Sequence, residues 1–227
     1  MRKKIVFFGI GKIAEVVHYY ATEECGYEVV AFCVDSNFKT NDIFLGKPVV
    51  SFEEVDKLYP ATNFDMFVAI GYHDINELRK QKCMEAMGKG YQLVSIVSPK
   101  AALPTNVAVG YNCFIMPPAI IQPCVSIGNN VFVWSGALIG HHSIIKDHGW
   151  LTSNCNIGGN VCIGEQTFVA MNATVTHSVE VGSLCFLGAN TLVTKKLLDE
   201  QVVISESSKP IKLTSKQFLK FSKFSSL

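Results

Sequence analysis

The sequence predicts a fold in two parts: a small α/β unit at the N-terminus, followed by an all-β domain of stacked short strands. Two observations lead to this prediction. A strand, a glycine-rich turn and a helix follow one another near the N-terminus, and an aliphatic residue then recurs at every sixth position from Val97 to Val193. We expect a Rossmann-like α/β domain over residues 1–94, a parallel β-helix over residues 95–195, and a partly helical C-terminal tail over residues 196–227.

The N-terminal unit begins with an apolar strand over residues 4–8, which runs directly into a turn that contains Gly9, Gly11 and Lys12. A helix over residues 12–22 is predicted to follow. Glycines let the backbone approach a ligand, and the N-terminus of a helix offers N–H groups to a phosphate. The glycine turn is therefore a candidate ligand-binding loop, although the same sequence also suits a tight strand–helix corner with no ligand.

A second predicted strand, over residues 28–34, ends at Asp35. An acid in this position commonly accepts hydrogen bonds from a ribose or a base. A third predicted strand covers residues 65–70, so ligand-binding loops are expected at the carboxyl ends of the strands. Because about 94 residues supply only one half of a dinucleotide-binding fold, a single nucleotide or nucleotide sugar suits the unit better than NAD.

The repeat in the second part has no insertion over 17 consecutive positions. Its members are Val97, Leu103, Val109, Ile115, Ile121, Ile127, Val133, Ile139, Ile145, Leu151, Ile157, Ile163, Val169, Val175, Val181, Leu187 and Val193. A small residue, or at most Val, stands four positions after each of the first 16. Neither a helix nor a lone strand has this period. Three flats of six residues close one coil of 18, with aliphatic side chains stacked inward.

Composition narrows the functional classes. The net charge of +1 does not suggest a nucleic-acid partner or an anionic membrane surface. No apolar run approaches the length of a membrane span, and the apolar start is too short for a signal peptide. The eight cysteines form no CxxC pair, and several occupy the small-residue positions of the repeat. We expect a cytoplasmic protein with reduced thiols.

The aliphatic and small positions of such a repeat are structural, so its chemistry must come from the corners and the outward positions. His141 and His142 follow the repeat position Ile139 and therefore stand at a corner, and the residue one full coil beyond His141 is Gly159. A general base beside an unshielded N–H is a minimal acyl-transfer site. Two other interpretations remain: a solvated corner with no function, or a zinc site completed by His148 or His177 from another subunit.

The glycine turn, the hexapeptide repeat and the Ile-Gly-His-His corner together resemble the sugar acetyltransferases of the NeuD/PglD type. The resemblance covers residues 4 to about 195, and residues 139–189 are its most specific part. It implies a left-handed β-helix, a homotrimer, and acetyl-coenzyme A as co-substrate with no metal. It also implies a nucleotide-linked amino sugar as acceptor, in particular a 4-amino-4,6-dideoxyhexose for surface glycan biosynthesis.

The resemblance also implies roles for individual residues. His141 matches the general base, and Gly159 the oxyanion donor. His142 replaces a residue that is often Glu in relatives, so it cannot make His141 more basic through negative charge. The implied nucleotide-sugar residues are Gly9, Gly11, Lys12, Asp35, Gly71 and Tyr72. The implied acetyl-coenzyme A groove, between neighbouring subunits, passes Trp150, Met171 and Ala189.

These features predict an acetyl-coenzyme A-dependent N-acetyltransferase that acts on a nucleotide-linked amino sugar by direct acyl transfer, without nucleic-acid or membrane partners. Two alternatives use the same fold. The first is a metal-dependent hydratase of the carbonic-anhydrase kind. The second is a non-catalytic nucleotide-sugar-binding module carried on a trimeric β-helix.

Overall fold

A computed structural model describes residues 3–101 and 103–221 of the chain. Its N-terminal unit contains five strands and three helices. In chain order these are β1 (Lys4–Phe8), α1 (Lys12–Tyr19), β2 (Glu28–Val34), β3 (Ile43–Phe44), β4 (Lys47–Ser51), α2 (Val55–Leu58), β5 (Asp65–Val68) and α3 (Glu77–Gly88). A π-helical turn, Tyr20–Glu24, extends α1, and a 3₁₀ turn, Ser36–Phe38, follows β2.

The five strands form one mixed sheet in the order β3-β4-β2-β1-β5. Only the pairing of β3 with β4 is antiparallel. The first two predicted strands are confirmed with their bounds, and the third ends two residues earlier than predicted, at Val68. The central strands are buried over nearly their whole length, as expected of parallel strands covered on both faces. The sheet thereby holds the carboxyl ends of β1, β2 and β5 at one edge.

The second part is a stack of triangular coils built from strands of two residues each. These strands are β6 (Ile96–Val97), β7 (Ala108–Val109), β8 (Phe114–Ile115), β9 (Ile120–Ile121), β10 (Ser126–Ile127), β11 (Phe132–Val133), β12 (Leu138–Ile139), β13 (Ile144–Ile145), β14 (Trp150–Leu151), β15 (Asn156–Ile157), β16 (Cys162–Ile163), β17 (Phe168–Val169), β18 (Thr174–Val175), β19 (Glu180–Val181), β20 (Phe186–Leu187), β21 (Leu192–Val193) and β22 (Val202–Val203). A 3₁₀ turn, Pro99–Ala101, follows β6. The strands assemble into three parallel sheets, so the predicted hexapeptide β-helix is confirmed.

The register of the sheets follows the six-residue repeat. Phe132 pairs with Trp150 and Trp150 with Phe168, each one full coil further along the chain. The second residue of each strand from β6 to β21 is the repeated aliphatic one, and these side chains form one continuous cluster that is buried except at its first members. Most corners contain a residue with positive φ, such as Asn130, His142 or Asn160. Asn tolerates that backbone region better than most residues, which accounts for its frequency at the corners.

The ladder of strands continues beyond the predicted boundary at residue 195. Leu197 forms a bridge with Val181, and Val203 pairs with Leu187. The partners in both pairs are closer in sequence than in the regular coils, so the last coil is shorter and departs from the repeat. An exposed helix, α4 (Ser215–Phe221), follows in the tail. Between residues 3 and 221, residue 102 excepted, no helix has the length and apolar character needed to cross a membrane.

One flat of the β-helix carries a column of outward-facing aromatic side chains, and the N-terminal unit covers it. The column consists of Phe114, Phe132, Trp150, Phe168 and Phe186. Four of these residues share a buried cluster with Phe7, Phe32 and Phe67 of the N-terminal sheet. Ring centroids lie 5.8 Å apart between Phe67 and Phe132, and 4.9 Å apart between Phe132 and Trp150. Such pairs stabilise a core beyond the area they bury.

A buried polar corner borders this aromatic flat. We define it as Asn112, Asn130, His148 and Gln166, which occupy equivalent positions in successive coils. The Asn112 side chain accepts from the Val68 N–H and donates to the Val68 carbonyl oxygen, at 2.7 and 3.2 Å. The Asn130 amide nitrogen lies 3.0 Å from Nδ1 of His148. Because an amide nitrogen only donates, that imidazole nitrogen must accept and carry no proton.

We predict that the polar corner makes the stability of the protein sensitive to acid. Burial lowers the pKa of His148 below its ordinary value of 6.5. Near that pH the unfolded chain therefore binds more protons than the folded chain, so the free energy of unfolding falls as the pH drops from about 6.5 toward the lowered pKa. The variant His148→Asn keeps a residue suited to positive φ and does not titrate, and its stability should fall less between about pH 7.5 and about pH 5.5.

Chemical denaturation at the two pH values measures this difference. The matched control is His142→Asn, at a corner with φ of 61° where the imidazole is exposed. The control should keep the acid sensitivity of the wild type. Equal acid sensitivity in His148→Asn and the wild type would show that the polar corner does not titrate.

Candidate functional site

A cleft of about 640 Å³ opens at the carboxyl edge of the N-terminal sheet. It is lined by five of the predicted nucleotide-sugar residues, which come from two separate loops. These residues are Gly9, Gly11, Lys12, Gly71 and Tyr72. The loop after β1 and the loop after β5 meet here because the two strands are parallel neighbours.

The structure accounts differently for the two glycines of the first loop. Gly9 has a φ of 117°, and a Cβ added to it would lie 2.7 Å from the carbonyl oxygen of Ala69, so only glycine fits. Gly11 caps the N-terminus of α1, and a Cβ added there would meet no atom within 4 Å. Open space therefore borders the N-terminus of α1, whose first N–H groups have no acceptor within the helix, so an anionic group can approach them.

Asp35 lies beside this cleft in a separate hollow of about 200 Å³. The cleft and the hollow share Ile70 and His73 in their walls. One carboxylate oxygen of Asp35 accepts from Nζ of Lys82 at 2.7 Å, and Lys82 also pairs with Glu85 at the same distance. The structure thus places Asp35 next to the other predicted residues, with its carboxylate already paired within the chain.

The second group of predicted residues forms a corner of the β-helix. We define this histidine corner as His141, Gly159 and His177, in successive coils, together with His142. Both His141 and His142 are exposed. The backbone of His141 is hydrogen-bonded on two sides. Its N–H donates to Oε1 of Gln122 at 2.9 Å, and its carbonyl oxygen accepts from the Asn160 N–H at 2.8 Å.

The ring of His141 lies directly against Gly159, as the register of the coils predicts. A Cβ added to Gly159 would lie 2.8 Å from both Nε2 and Cε1 of that ring. In the described ranges 3–101 and 103–221, no acceptor is hydrogen-bonded to the Gly159 N–H. The imidazole and the residue that carries this unbonded N–H thus lie side by side at an exposed corner. This pair could remove a proton from a nucleophile and stabilise a developing oxyanion.

His142 contacts His141 through a ring nitrogen. The Nδ1 atoms of the two imidazoles lie 3.1 Å apart, so one of them donates and the other accepts. A proton on Nδ1 of His141 would leave Nε2, the atom beside Gly159, as the free base. In this arrangement His142 selects the tautomer of His141 without adding negative charge. A carboxylate at this position would do both.

Within one chain, the described histidines do not assemble a zinc site. The ring centroids of His141 and His177 lie 6.2 Å apart, whereas His148 belongs to the buried polar corner and is bonded to Asn130. Within the part of the chain that the structure describes, no three His, Cys, Asp or Glu residues are grouped to hold a metal ion. A zinc site formed by the histidine corner and His148 of one chain is therefore not available.

The three residues predicted for the acetyl-coenzyme A groove separate into two groups. Met171 and Ala189 are exposed and occupy equivalent positions in successive coils, at a further corner that we call the methionine corner. Ala189 lines a hollow of about 350 Å³ together with Ile204 and Ser205, which follow β22. The Ser205 hydroxyl donates to the Ala189 carbonyl oxygen at 2.6 Å.

Trp150 does not belong to that groove, and the prediction for it is wrong. Its side chain is 2% exposed and lies in the aromatic column on a flat, not at a corner. Its ring centroid lies 5.4 Å from that of Tyr72, between the β-helix and the N-terminal unit. The physical reason is register: residue 150 is three positions short of 153, the residue that stacks under Met171.

Sequence reasoning also missed the residues that join the two units. The aromatic column recurs once in every coil from Phe114 to Phe186, so the coil length could have revealed it. Arg79, in contrast, lies in a helix rich in polar residues and yet is fully buried against the polar corner. No periodicity in the sequence distinguishes it from its solvated neighbours.

We predict that Trp150 contributes to stability and not to coenzyme A contacts. Replacing it with Ala should lower the free energy of unfolding by about 3–5 kcal/mol, because a large buried ring is lost from a packed interface. The control Met171→Ala, at a side chain that is 57% exposed, should change stability by about 0.5 kcal/mol or less. Urea denaturation measures both. A change for Trp150→Ala as small as that for Met171→Ala would contradict the assignment.

The comparisons with known proteins agree with this architecture. A family model described as bacterial transferase hexapeptide (six repeats) matches residues 106–141. A search among curated proteins gave no match. The chain is similar to a solved structure of perosamine N-acetyltransferase from Caulobacter crescentus, a histidine-to-asparagine variant in complex with coenzyme A and GDP-perosamine. The identity is 26%, the TM-score is 0.81, and the match covers 89% of this chain and 93% of that chain.

A second solved structure supports the fold. The acetyltransferase domain of PglB from Neisseria gonorrhoeae FA1090 matches with 23% identity and a TM-score of 0.82, over 92% of this chain and 100% of that chain. The same domain in complex with acetyl coenzyme A matches with 22% identity and a TM-score of 0.81. The hexapeptide repeats and these likenesses confirm that this chain is similar to the sugar acetyltransferases of the NeuD/PglD type and is an enzyme of the acetyltransferase class.

Proposed function

We propose that the protein transfers the acetyl group of acetyl-coenzyme A to the amino group of a nucleotide-linked amino sugar. One observation carries the proposal above the others: the His141 ring lies against Gly159, whose N–H has no bonded acceptor among the described residues. That pair contains the two groups that direct acyl transfer requires, a base for the nucleophile and a donor for the oxyanion.

In the proposed reaction, the amine nitrogen of the sugar attacks the thioester carbonyl carbon and forms the new C–N bond. Nε2 of His141 accepts the proton that the amine loses. The Gly159 N–H donates to the oxygen of the tetrahedral intermediate, which is where negative charge develops. The C–S bond then breaks, coenzyme A leaves as the thiolate, and the proton returns to it. No covalent enzyme intermediate is needed.

The substrate assignment combines the cleft with the relatives. The relative from Caulobacter crescentus was solved with coenzyme A and GDP-perosamine, and the PglB domain was solved with acetyl coenzyme A. In this chain the N-terminal unit, which we regard as Rossmann-like, offers Gly9, Gly11 and Lys12 to a diphosphate. Tyr72 is then available to the rest of the nucleotide, as is the carboxylate oxygen of Asp35 that Lys82 does not bind. We infer a 4-amino-4,6-dideoxyhexose as the sugar and surface glycan biosynthesis as the role.

We infer a homotrimer, and the arrangement of the three corners supports it. The N-terminal unit covers the flat between the polar corner and the methionine corner, so the histidine corner is the opposite vertex of the triangle. The cleft of one chain and the His141 of the same chain therefore lie on different sides of the β-helix. Three left-handed β-helices around a closed axis would bring the histidine corner of one copy to the neighbouring copy, with Met171 and Ala189 bordering the acetyl-coenzyme A groove.

We expect sedimentation equilibrium to report three times the chain mass of 24.9 kDa. The exposed outward side chains Ile120 and Ile144, on the two flats that meet at the histidine corner, are apolar surface that such a contact would cover. A stable monomer that turns over substrate would contradict this arrangement.

The proposed location is the cytoplasm. All eight cysteines are free, and five of them are buried, where Cys acts as a small apolar side chain. Burial raises the pKa of the Cys113 thiol to about 11, so this group remains protonated and unreactive near neutral pH. Free thiols in this number suit a reducing compartment.

We predict that changes at either member of the catalytic pair remove turnover while the protein stays folded. His141→Asn should lower kcat by about 10²–10⁴-fold, because the base is lost while both substrates still bind. Gly159→Ala should have a similar effect, because its methyl group would displace the imidazole from its position. Thiol release from acetyl-coenzyme A, measured against a panel of UDP-, dTDP- and GDP-linked amino sugars, detects both losses.

The matched control is Gly88→Ala, where an added Cβ meets no atom within 4 Å, and it should keep the wild-type rate. Near wild-type turnover of His141→Asn would reject the assignment of the base. A hydratase would instead lose activity to chelators, and a non-catalytic module would bind nucleotide sugar but release no thiol. Product analysis separates N-acetylation from O-acetylation.

A further inference from the structure

Arg79 is a buried cation at the junction between the N-terminal unit and the β-helix. Its side chain is fully buried, and no carboxylate pairs with it in the ranges 3–101 and 103–221. The guanidinium instead lies 4.5 Å from the ring centroid of Phe132 and 5.0 Å from that of Trp150. Burial lowers the pKa of Arg79 to about 9, so the group stays charged near neutral pH.

Every hydrogen bond of Arg79 goes to a neutral oxygen. On the side of the β-helix, Nε donates to Oδ1 of Asn130 at 2.9 Å, and Nη2 donates to the carbonyl oxygens of Asn130 and His148 at 3.2 Å each. On the side of the N-terminal unit, Nη1 donates to the Gly71 carbonyl oxygen at 3.2 Å and to Oδ1 of Asn76 at 3.0 Å. A planar fork with five N–H groups can serve all these acceptors at once, which an ammonium group cannot.

The contact with Gly71 connects this cation to the cleft. Gly71 and Tyr72 form part of the cleft wall, and the ring of Tyr72 lies 4.7 Å from that of Phe168. Asn76, at a φ of 72°, donates from its amide to the Gln166 carbonyl oxygen at 3.3 Å. The coils of the β-helix therefore hold this wall, and the fork of Arg79 bonds to both the wall and the coils.

The packing of the two domains against each other does not by itself require a buried guanidinium. Well-packed apolar residues dock surfaces at least as well as a buried charge, whose desolvation is costly. A rigid fork adds direction: it sets the position of the Gly71 carbonyl relative to those of Asn130 and His148. A wall held in this way keeps a bound nucleotide sugar in one place relative to the β-helix of its own chain. In the proposed trimer, the reacting corner of a neighbouring copy lies beside that β-helix.

We propose that Arg79 is a positioning residue for the nucleotide sugar, which it orders through the Gly71–Tyr72 wall without contacting the reacting atoms. The inference rests on the proposed function, because it assumes that the cleft holds this substrate. It goes beyond that function in assigning the specificity for a nucleotide-linked acceptor to the junction with the β-helix.

The test compares Arg79→Lys with the wild type as purified full chains. KM for the nucleotide sugar should rise by about tenfold or more, whereas KM for acetyl-coenzyme A should change by about twofold or less. With a free amino sugar that lacks the nucleotide, the two proteins should show equal rates, since that substrate does not use the wall. A merely structural defect would lower the active fraction and reduce all rates together, with both KM values unchanged.

The matched control is Lys80→Met on the same helix. Lys80 also bonds to the polar corner, through Oε1 of Gln166 at 2.9 Å, but it does not line the cleft. It should keep the wild-type KM for both substrates. Asn76→Gly provides a second route if Arg79→Lys does not fold, because glycine accepts the φ of 72° while one anchor of the wall is lost. It should raise KM for the nucleotide sugar in the same direction.

Calorimetry with the nucleoside diphosphate alone separates this inference from the proposed function. If the wild type binds the diphosphate but transfers no acetyl group, the proposed function is wrong, and weaker binding by Arg79→Lys still supports the role of Arg79. If the wild type is active and Arg79→Lys keeps both its affinity and its KM, the inference is wrong while the proposed function stands.

Discussion

The strict register of the coils is the constraint on which the rest of the molecule depends. Each strand has only two residues, so its backbone groups are paired almost entirely with the coils below and above, as when Trp150 bonds between Phe132 and Phe168. An inserted residue would shift every later side chain to a different direction. With the register maintained from Ile96 to Val193, side chains one coil apart stack into columns, and the functional features of the β-helix are properties of such columns.

The columns divide stability and chemistry between different sides of one triangle. The aromatic column and the polar corner are buried against the N-terminal unit. The rings pack together there, and the side-chain amides are hydrogen-bonded to one another and to the Arg79 fork. At the opposite vertex, His141 is exposed and the Gly159 N–H has no bonded acceptor among the described residues. A base and a donor can remain unpaired there because water solvates them, whereas the same groups at the buried junction would be costly.

The predictions that depend on spacing or on apolar runs along the chain have a different outcome from the one that came from resemblance. The aliphatic repeat and the first two strands depend on periodicity and apolar runs, and the structure confirms both. The contact of Gly159 with His141 followed from the register alone. The same register argues against Trp150 as a corner residue, but the prediction for it came from resemblance and was wrong. The shortened last coil at Leu197 was not predicted, because it breaks the repeat.

The sequence by itself determined the coil, its inward core and the stacking of the histidine corner, because each depends on a spacing that one chain carries in its own order. The tertiary structure alone decided which flat the N-terminal unit covers, how Asp35 is paired, and that Arg79 is buried. These outcomes depend on the meeting of segments that are distant in the sequence, such as Gly71 and His148 around one guanidinium. Whether a polar side chain is solvated or enclosed is settled by the surface placed against it, which no local pattern encodes.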